Sequence, residues 1–289
     1  MAESKVSSKR SDDDLFVVIL AGGIGSRFWP ASTPSRPKQL LALATDSPLV
    51  VDTFRRAAGI VPVNQVRLLA NARLTAAFQA LPEQWEDDVY WIEPRARGTC
   101  PALAWAAWSI ERECPGAVMI SLHSDHLIEP LDDFQRTISA AVELARNREI
   151  LVCIGAVPDR IETGYGHIQP GESIALESEI EASTVSAFHE KPNATNAERY
   201  LQEGYLWNTG MFVWKASTFL NEVRVNAPEI GACLPLLEES PEAFFDAVPE
   251  GPVDTMVLER SACVGVVQAS FSWDDMGSWE SLARNRAPD

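Results

Sequence analysis

Residues 15–41 read LFVVILAGGIGSRFWPASTPSRPKQLL. The apolar run over residues 16–21 predicts a strand buried on both faces. It leads straight into Gly22, Gly23 and Gly25, which let backbone N–H groups come close to an anion. Two standard glycine patterns do not fit. The dinucleotide fingerprint needs a third glycine where Phe28 stands, and the P-loop needs a Gly-Lys-Ser/Thr that is missing. A nicotinamide enzyme is therefore disfavoured. Residues 15–45 contain no acidic residue but hold Arg27, Arg36 and Lys38, a local charge of +3. Pro30, Pro34 and Pro37 stiffen the loop. The stretch reads as a polyphosphate site at a strand end rather than as a loop of solvated cations.

The chain as a whole has the opposite charge. Its 289 residues carry 24 Lys+Arg against 41 Asp+Glu, a net charge of −17. Such a balance excludes nucleic acid and anionic membranes as partners held by bulk charge. Apolar residues make up 46%, enough for a real core and too many for an acidic disordered chain. The longest apolar runs are about eight residues, whereas a membrane span needs roughly twenty. Residues 1–14 are polar and mixed in charge, which predicts a disordered leader and no signal peptide. Cys100, Cys114, Cys153, Cys233 and Cys263 are scattered and odd in number, which predicts reduced thiols and a cytoplasmic setting. Each reads as a small buried hydrophobe.

Outward from the glycine loop, strand and helix patterns alternate. Helices are predicted over 47–58, 72–81, 99–114 and 131–147. Strands are predicted over 65–70, 89–93, 117–122 and 150–157. That spacing implies an α/β fold with a mostly parallel sheet. After Pro158 the glycines at 164, 166 and 171 and a strand over 184–190 suggest an inserted hairpin. A helix over 193–203 with an Asn cap, a strand over 205–215, a helix over 217–225 and a strand over 263–270 follow. One domain over 15–289 with a β-rich insertion is expected.

The first stretch closely resembles the signature of sugar-phosphate nucleotidyltransferases, GGxGxRLWPxSxxxxPKQxL. Its Trp-Pro and Pro-Lys-Gln elements resemble the mannose-1-phosphate guanylyltransferases. Six further segments match in order. Residues 93–103, EPRARGTCPAL, resemble EPxxRNTAPAI, with Gly98 and Cys100 replacing Asn and Ala. Residues 121–128, SLHSDHLI, resemble LPADHxI. TGYGHI at 163–168, FHEKP at 188–192, WNTGMF at 207–212 and FSWDDMGSW at 271–279 complete the series.

The resemblance implies a Rossmann-like fold with a nucleotide-binding half (15–157) and a sugar-phosphate-binding half (158–289). It implies transfer of GMP from GTP to mannose 1-phosphate, giving GDP-mannose and pyrophosphate. Such a transfer rests on positioning and charge neutralisation. Arg27 and Lys38 are the expected catalytic cations, and Leu20, Ala21, Gly22, Gly23, Gly25, Ser26 and Ser124 the nucleotide cradle. Glu93 and Arg97 fall on the nucleobase side. Asp125, at a strand end, and Asp275 are expected to hold Mg2+ or Mn2+, with Asp274 set aside as a neighbour. Lys191 would meet the sugar phosphate and Glu190 the sugar hydroxyls. Asn208 would read a vicinal hydroxyl pair. Gly164 and Gly166 would let backbone groups approach the sugar, with Tyr165 between them at the sugar-phosphate site. A zinc site at His123, Asp125 and His126 is disfavoured, because three ligands within four residues converge poorly and a fourth is missing. Trp105 and Trp108 read as core, Trp29 and Trp279 as near the site. Relatives commonly continue past the last motif, so a shortened chain and a possible homodimer are further expectations. A different sugar 1-phosphate, or a non-catalytic sugar-nucleotide-binding homologue, stays open as an alternative.

Overall fold

The computed structural model describes residues 12–23, 28–33, 36–43 and 45–285. Most of the leader, residues 1–11, lies outside them, as does Pro34. Eleven strands are present among the described residues. They are β1 (Leu15–Leu20), β2 (Val66–Asn71), β3 (Tyr90–Glu93), β4 (Val118–His123), β5 (Leu127–Glu129), β6 (Leu151–Ala156), β7 (His167–Ser173), β8 (Ala182–His189), β9 (Leu206–Lys215), β10 (Val264–Gln268) and β11 (Ser272–Asp274). The helices are α1 (Leu49–Ala58), α2 (Ala72–Gln79), α3 (Thr99–Glu113), α4 (Leu131–Asn147), α5 (Ala194–Gln202), α6 (Ala216–Asn226), α7 (Pro228–Gly231), α8 (Pro241–Ala247) and α9 (Trp279–Asn285).

Nine strands form one sheet in the order β3-β2-β1-β4-β9-β6-β10-β8-β7. Only β8 and β9 run against the other seven. The fold is a mostly parallel mixed sheet between helical layers. The inserted hairpin after Pro158 is β7 and β8, and it continues this sheet at its far edge. Strands β5 and β11 make a separate two-stranded ribbon.

Strand β1 shows why the run over residues 15–20 had to be apolar throughout. Phe16, Val18 and Leu20 enter the core on one face, with the Ala-rich α3 and with α6. Leu15, Val17 and Ile19 enter the core on the other, with α1, α2 and α4. Alternate side chains of one strand thus serve two layers. Helix α4 turns Phe134, Ile138, Ala141, Val142 and Ala145 inward, an apolar stripe at helical spacing. Helix α5 opens on the expected Asn cap, with Asn193 accepting from the Asn196 N–H. Trp105 is core, and Trp108 packs against it half-exposed. No helix among the described residues is long and apolar enough to cross a membrane. All five cysteines are free. Cys100 and Cys153 are buried as expected, but Cys114 and Cys233 are half-buried and Cys263 is exposed. Cys114 and Cys233 lie at helix ends and pack against the edge of the core, and Cys263 lies in a loop.

The chain leaves β1 for β2 and β3 on one side, then crosses back to β4 on the other. This reversal opens a crevice above the C-terminal ends of β1 and β4, the usual ligand position in an open α/β sheet.

Candidate active site

A cavity of about 370 Å³ occupies that crevice. Leu20, Gly22, Gly23 and Ser124 line it from the ends of β1 and β4, and Glu93 from the end of β3. The glycine turn is fixed from behind by Gln39, whose amide donates to the carbonyls of Gly23 and Ala21. Ser124 N–H donates to Leu20 O, tying the two strand ends together. Gln39 is 2% exposed, and its Oε1 has no partner among the described residues. The sequence reading missed Gln39 as a support for the turn, although it sits in the quoted PKQ element. Gly25, Ser26 and Arg27 lie outside the described residues.

Glu93 closes the inner end of the cavity. Its Oε1 lies 3.6 Å from where a side chain on Gly22 would begin. Burial pushes its carboxyl up to about 7. Arg97, expected beside it, is turned away. Its Nε donates to Phe245 O at 2.9 Å and its NH2 to Asp246 O at 3.4 Å, anchoring the end of α8. The resemblance put Arg97 on the nucleobase side; its protein partner, 148 residues further on, was not legible in the sequence.

At the cavity mouth three motifs meet. Lys38 Nζ lies 2.7 Å from Asp125 Oδ2 and donates to the backbone carbonyl of Asp275 at 2.7 Å. Lys38 is 5% exposed, so its ammonium is held in place rather than waving in solvent. Asp275 Oδ1 accepts from Tyr165 OH at 2.8 Å and from Gly277 N–H at 2.9 Å. Burial, then the Asp275 carboxylate, raises the Tyr165 phenol above its ordinary value, so it stays a donor. Tyr165, expected at the sugar-phosphate site, thus turns its side chain onto the Asp275 carboxylate. Asp274 is engaged elsewhere: it accepts from Met276 N–H, Ser281 Oγ and Arg284, fixing α9.

Two carboxylate oxygens, Asp125 Oδ1 and Asp275 Oδ2, have no protein partner among the described residues. A hard divalent cation takes such oxygens, so the donor set fits Mg2+ or Mn2+. The structure does gather His123, Asp125 and His126 more tightly than their spacing suggested, with ligand atoms within 4.8 Å of one another. It still disfavours zinc. Trp273 Nε1–H donates to His126 Nδ1 at 3.1 Å. Burial, then His123, Lys38 and Arg56, holds the His126 ring neutral. Its one proton is therefore on Nε2, and neither nitrogen offers a metal a lone pair.

Across the sheet from the cavity, Gly166, Glu190 and Asn208 come together. A side chain on Gly166 would meet Glu190 Oε2 at 2.8 Å and Asn208 Cβ at 3.2 Å, so anything larger would displace the Glu190 carboxylate. Lys191, with φ at 46°, turns its ammonium onto Glu190 Oε1 at 2.5 Å. Gly164, earlier in the same turn, has its N–H held by Glu162. Asn208 differs from expectation. Its Nδ2 donates to Asp254 Oδ1 at 2.7 Å and its Oδ1 accepts from Gly210 N–H at 3.0 Å. The amide is oriented by the protein before any hydroxyl arrives. Burial, then Glu190, pushes the Asp254 carboxyl up to about 6. The sequence offered no sign of Asp254, which stands in a short π-helical turn, Asp254–Leu258. Trp29 is exposed and Trp279 half-exposed; Trp279 Nε1 donates to Trp29 O.

This crevice, with its glycine turn, buried lysine and paired aspartates, has the form of a nucleotidyl-transfer site. Residues 16–287 match the nucleotidyl transferase family, and the chain belongs to it. It is 37% identical over 286 residues to the mannose-1-phosphate guanylyltransferase of Escherichia coli (strain K12), covering 93% of this chain and 59% of that protein. It is 35% identical to the alginate biosynthesis protein AlgA of Pseudomonas aeruginosa, over 92% of this chain and 57% of the relative. The chain therefore spans less than two thirds of the length of these relatives. Among solved structures, a mannose-1-phosphate geranyltransferase from Thermus thermophilus superposes with a TM-score of 0.86 at 29% identity, covering 96% of this chain and 80% of that one.

Proposed function

We propose that the protein transfers GMP from GTP to alpha-D-mannose 1-phosphate, releasing pyrophosphate and forming GDP-mannose. The observation that carries this reading is the meeting of Lys38, Asp125 and Asp275 at the mouth of the glycine-turn cavity. A phosphate oxygen of the sugar phosphate attacks the α-phosphorus of GTP. The α–β bridging bond breaks in line, and pyrophosphate takes its electron pair. Leu20, Ala21, Gly22, Gly23 and Ser124 cradle the nucleotide, and Glu93 meets the N–H edge of guanine. Lys38, with Arg27, neutralises charge that grows on the phosphate oxygens. Asp125 and Asp275 hold Mg2+ or Mn2+, which when bound neutralises triphosphate charge. Tyr165 fixes the Asp275 carboxylate. Lys191 receives the sugar phosphate, and Glu190, with Asn208 and Asp254 behind it, accepts sugar hydroxyls beside Gly164 and Gly166. The free thiols fit a cytoplasmic setting, where GTP is available.

Pyrophosphate release by the purified protein tests this, using mannose 1-phosphate and other sugar phosphates against GTP, ATP and UTP. GTP with mannose 1-phosphate is expected among the best pairs. Lys38→Ala is expected to lose at least about a hundredfold in kcat/KM with an unchanged circular dichroism spectrum. Wild-type pyrophosphate release by that variant would overturn the assignment.

A further inference from the structure

Arg97 belongs to a larger arrangement. Residues 245–253 lie as a strap across residues 95–100, at the entrance to α3. Arg97 donates to Phe245 O and Asp246 O, and Arg95 pairs with Asp246. Gly251 N–H donates to Arg97 O at 3.0 Å, and Cys100 N–H donates back to Gly251 O at 3.1 Å. Val253 N–H donates to Thr99 Oγ1 at 2.9 Å. Backbone bonds in both directions make the strap a fixed wall, not a loose loop.

The closeness of this contact depends on two glycines. Gly98 has φ at +83°, and a side chain there would begin 2.6 Å from Gly251 O. One on Gly251 would begin 1.8 Å from Met256 Sδ. Any residue other than glycine at 98, including the Asn of the signature pattern, would push the strap outward. With glycine in place, the strap brings Glu250 onto the wall of the cavity that Glu93 also lines. The side chains between them, Ala96 and Ala102, are apolar. Glu93 and the exposed Glu250 therefore line one small cavity from different segments, and among the described residues no cation of that cavity's lining pairs with Glu250.

We infer that Glu250 is a second base-reading residue, which accepts from the 2-amino group of guanine while Glu93 accepts from the same edge. This rests on the reading of the cavity as a GTP site. Guanine presents three N–H hydrogens along that edge, one on N1 and two on the 2-amino group. One carboxylate can accept two of them, and a second carboxylate takes the third. Uracil and thymine place carbonyl oxygens beside their single N–H, and adenine places a lone pair there. A pair of carboxylates repels each of these.

Inosine triphosphate lacks only the 2-amino group, so it isolates the contact. The test compares kcat/KM for GTP and ITP, with mannose 1-phosphate, in the wild-type protein and in Glu250→Ala. Loss of one charge-assisted hydrogen bond predicts about a tenfold fall for GTP, through KM, and little change for ITP. Gly98→Asn is expected to narrow the GTP/ITP ratio in the same direction by displacing the strap. If GTP and ITP fall together in Glu250→Ala, or neither falls, while the wild type prefers GTP, this inference is wrong and the GTP reading stands. A wild type that prefers another base overturns both.

Discussion

Glu93 carries two opposed consequences of burial. Its carboxyl, pushed up to about 7, is protonated over much of the acid range, yet accepting from guanine needs the carboxylate. KM for GTP is therefore expected to rise as pH falls below about 7, and a Glu93→Gln variant should lose that slope. Stability runs the other way. Between the unfolded value near about 4.3 and the folded value, the folded chain binds the extra proton. Wild-type stability relative to Glu93→Gln should thus be greatest at low pH, fall as pH rises to about 7, and level off above it. Urea unfolding midpoints of both proteins across that range would show it, and a flat difference would contradict it. At this scale the sequence was legible where a motif carries the residue. Gly22 and Asp125 line the cavity, and Lys38 joins Asp125 to the Asp275 carbonyl. The protein partners of Arg97 and Asn208, Phe245 O and Asp254, were not legible, because they stand 148 and 46 positions further on and no local pattern encodes them.

Elements were legible in proportion to their length and periodicity. Strand β1, helix α3 and helix α4 emerge within a residue or two of their expected limits. The ribbon of β5 and β11, three residues each, has no periodic signal and went unseen. So did α8 and the π-helical turn, which bring Asp254 and the strap to the site. Position within the sheet also sets sensitivity. Ile19, fully buried in β1, should cost about 2–5 kcal/mol when truncated to Ala. Ile92, on the edge strand β3 and 48% exposed, should cost about 0.5 kcal/mol or less. Equal denaturation shifts for the two would show that β3 is buried by something else.

The whole molecule carries −17, while the proposed substrates are polyanions. The acid-free stretch over residues 15–45 is the local exception, and Lys38 delivers it to the cavity mouth. Elsewhere the excess negative charge repels itself. Raising NaCl from about 10 mM to about 300 mM, which shortens the screening length from about 30 Å to below about 8 Å, should raise Tm. A falling Tm would mean that attractive pairs dominate instead.

The bond from Lys38 to the Asp275 carbonyl spans 237 positions. Phe28, Met276 and Leu282 form a small apolar core of their own beside it. This has a consequence in time as well as in space. On the ribosome, strands β1 to β4 can pair while Asp275 is still inside the exit tunnel, but Lys38 then has no carbonyl to donate to and Asp125 no facing carboxylate. A nascent chain would therefore gain its core first and its competence to engage triphosphate only after the segment around residue 275 has emerged.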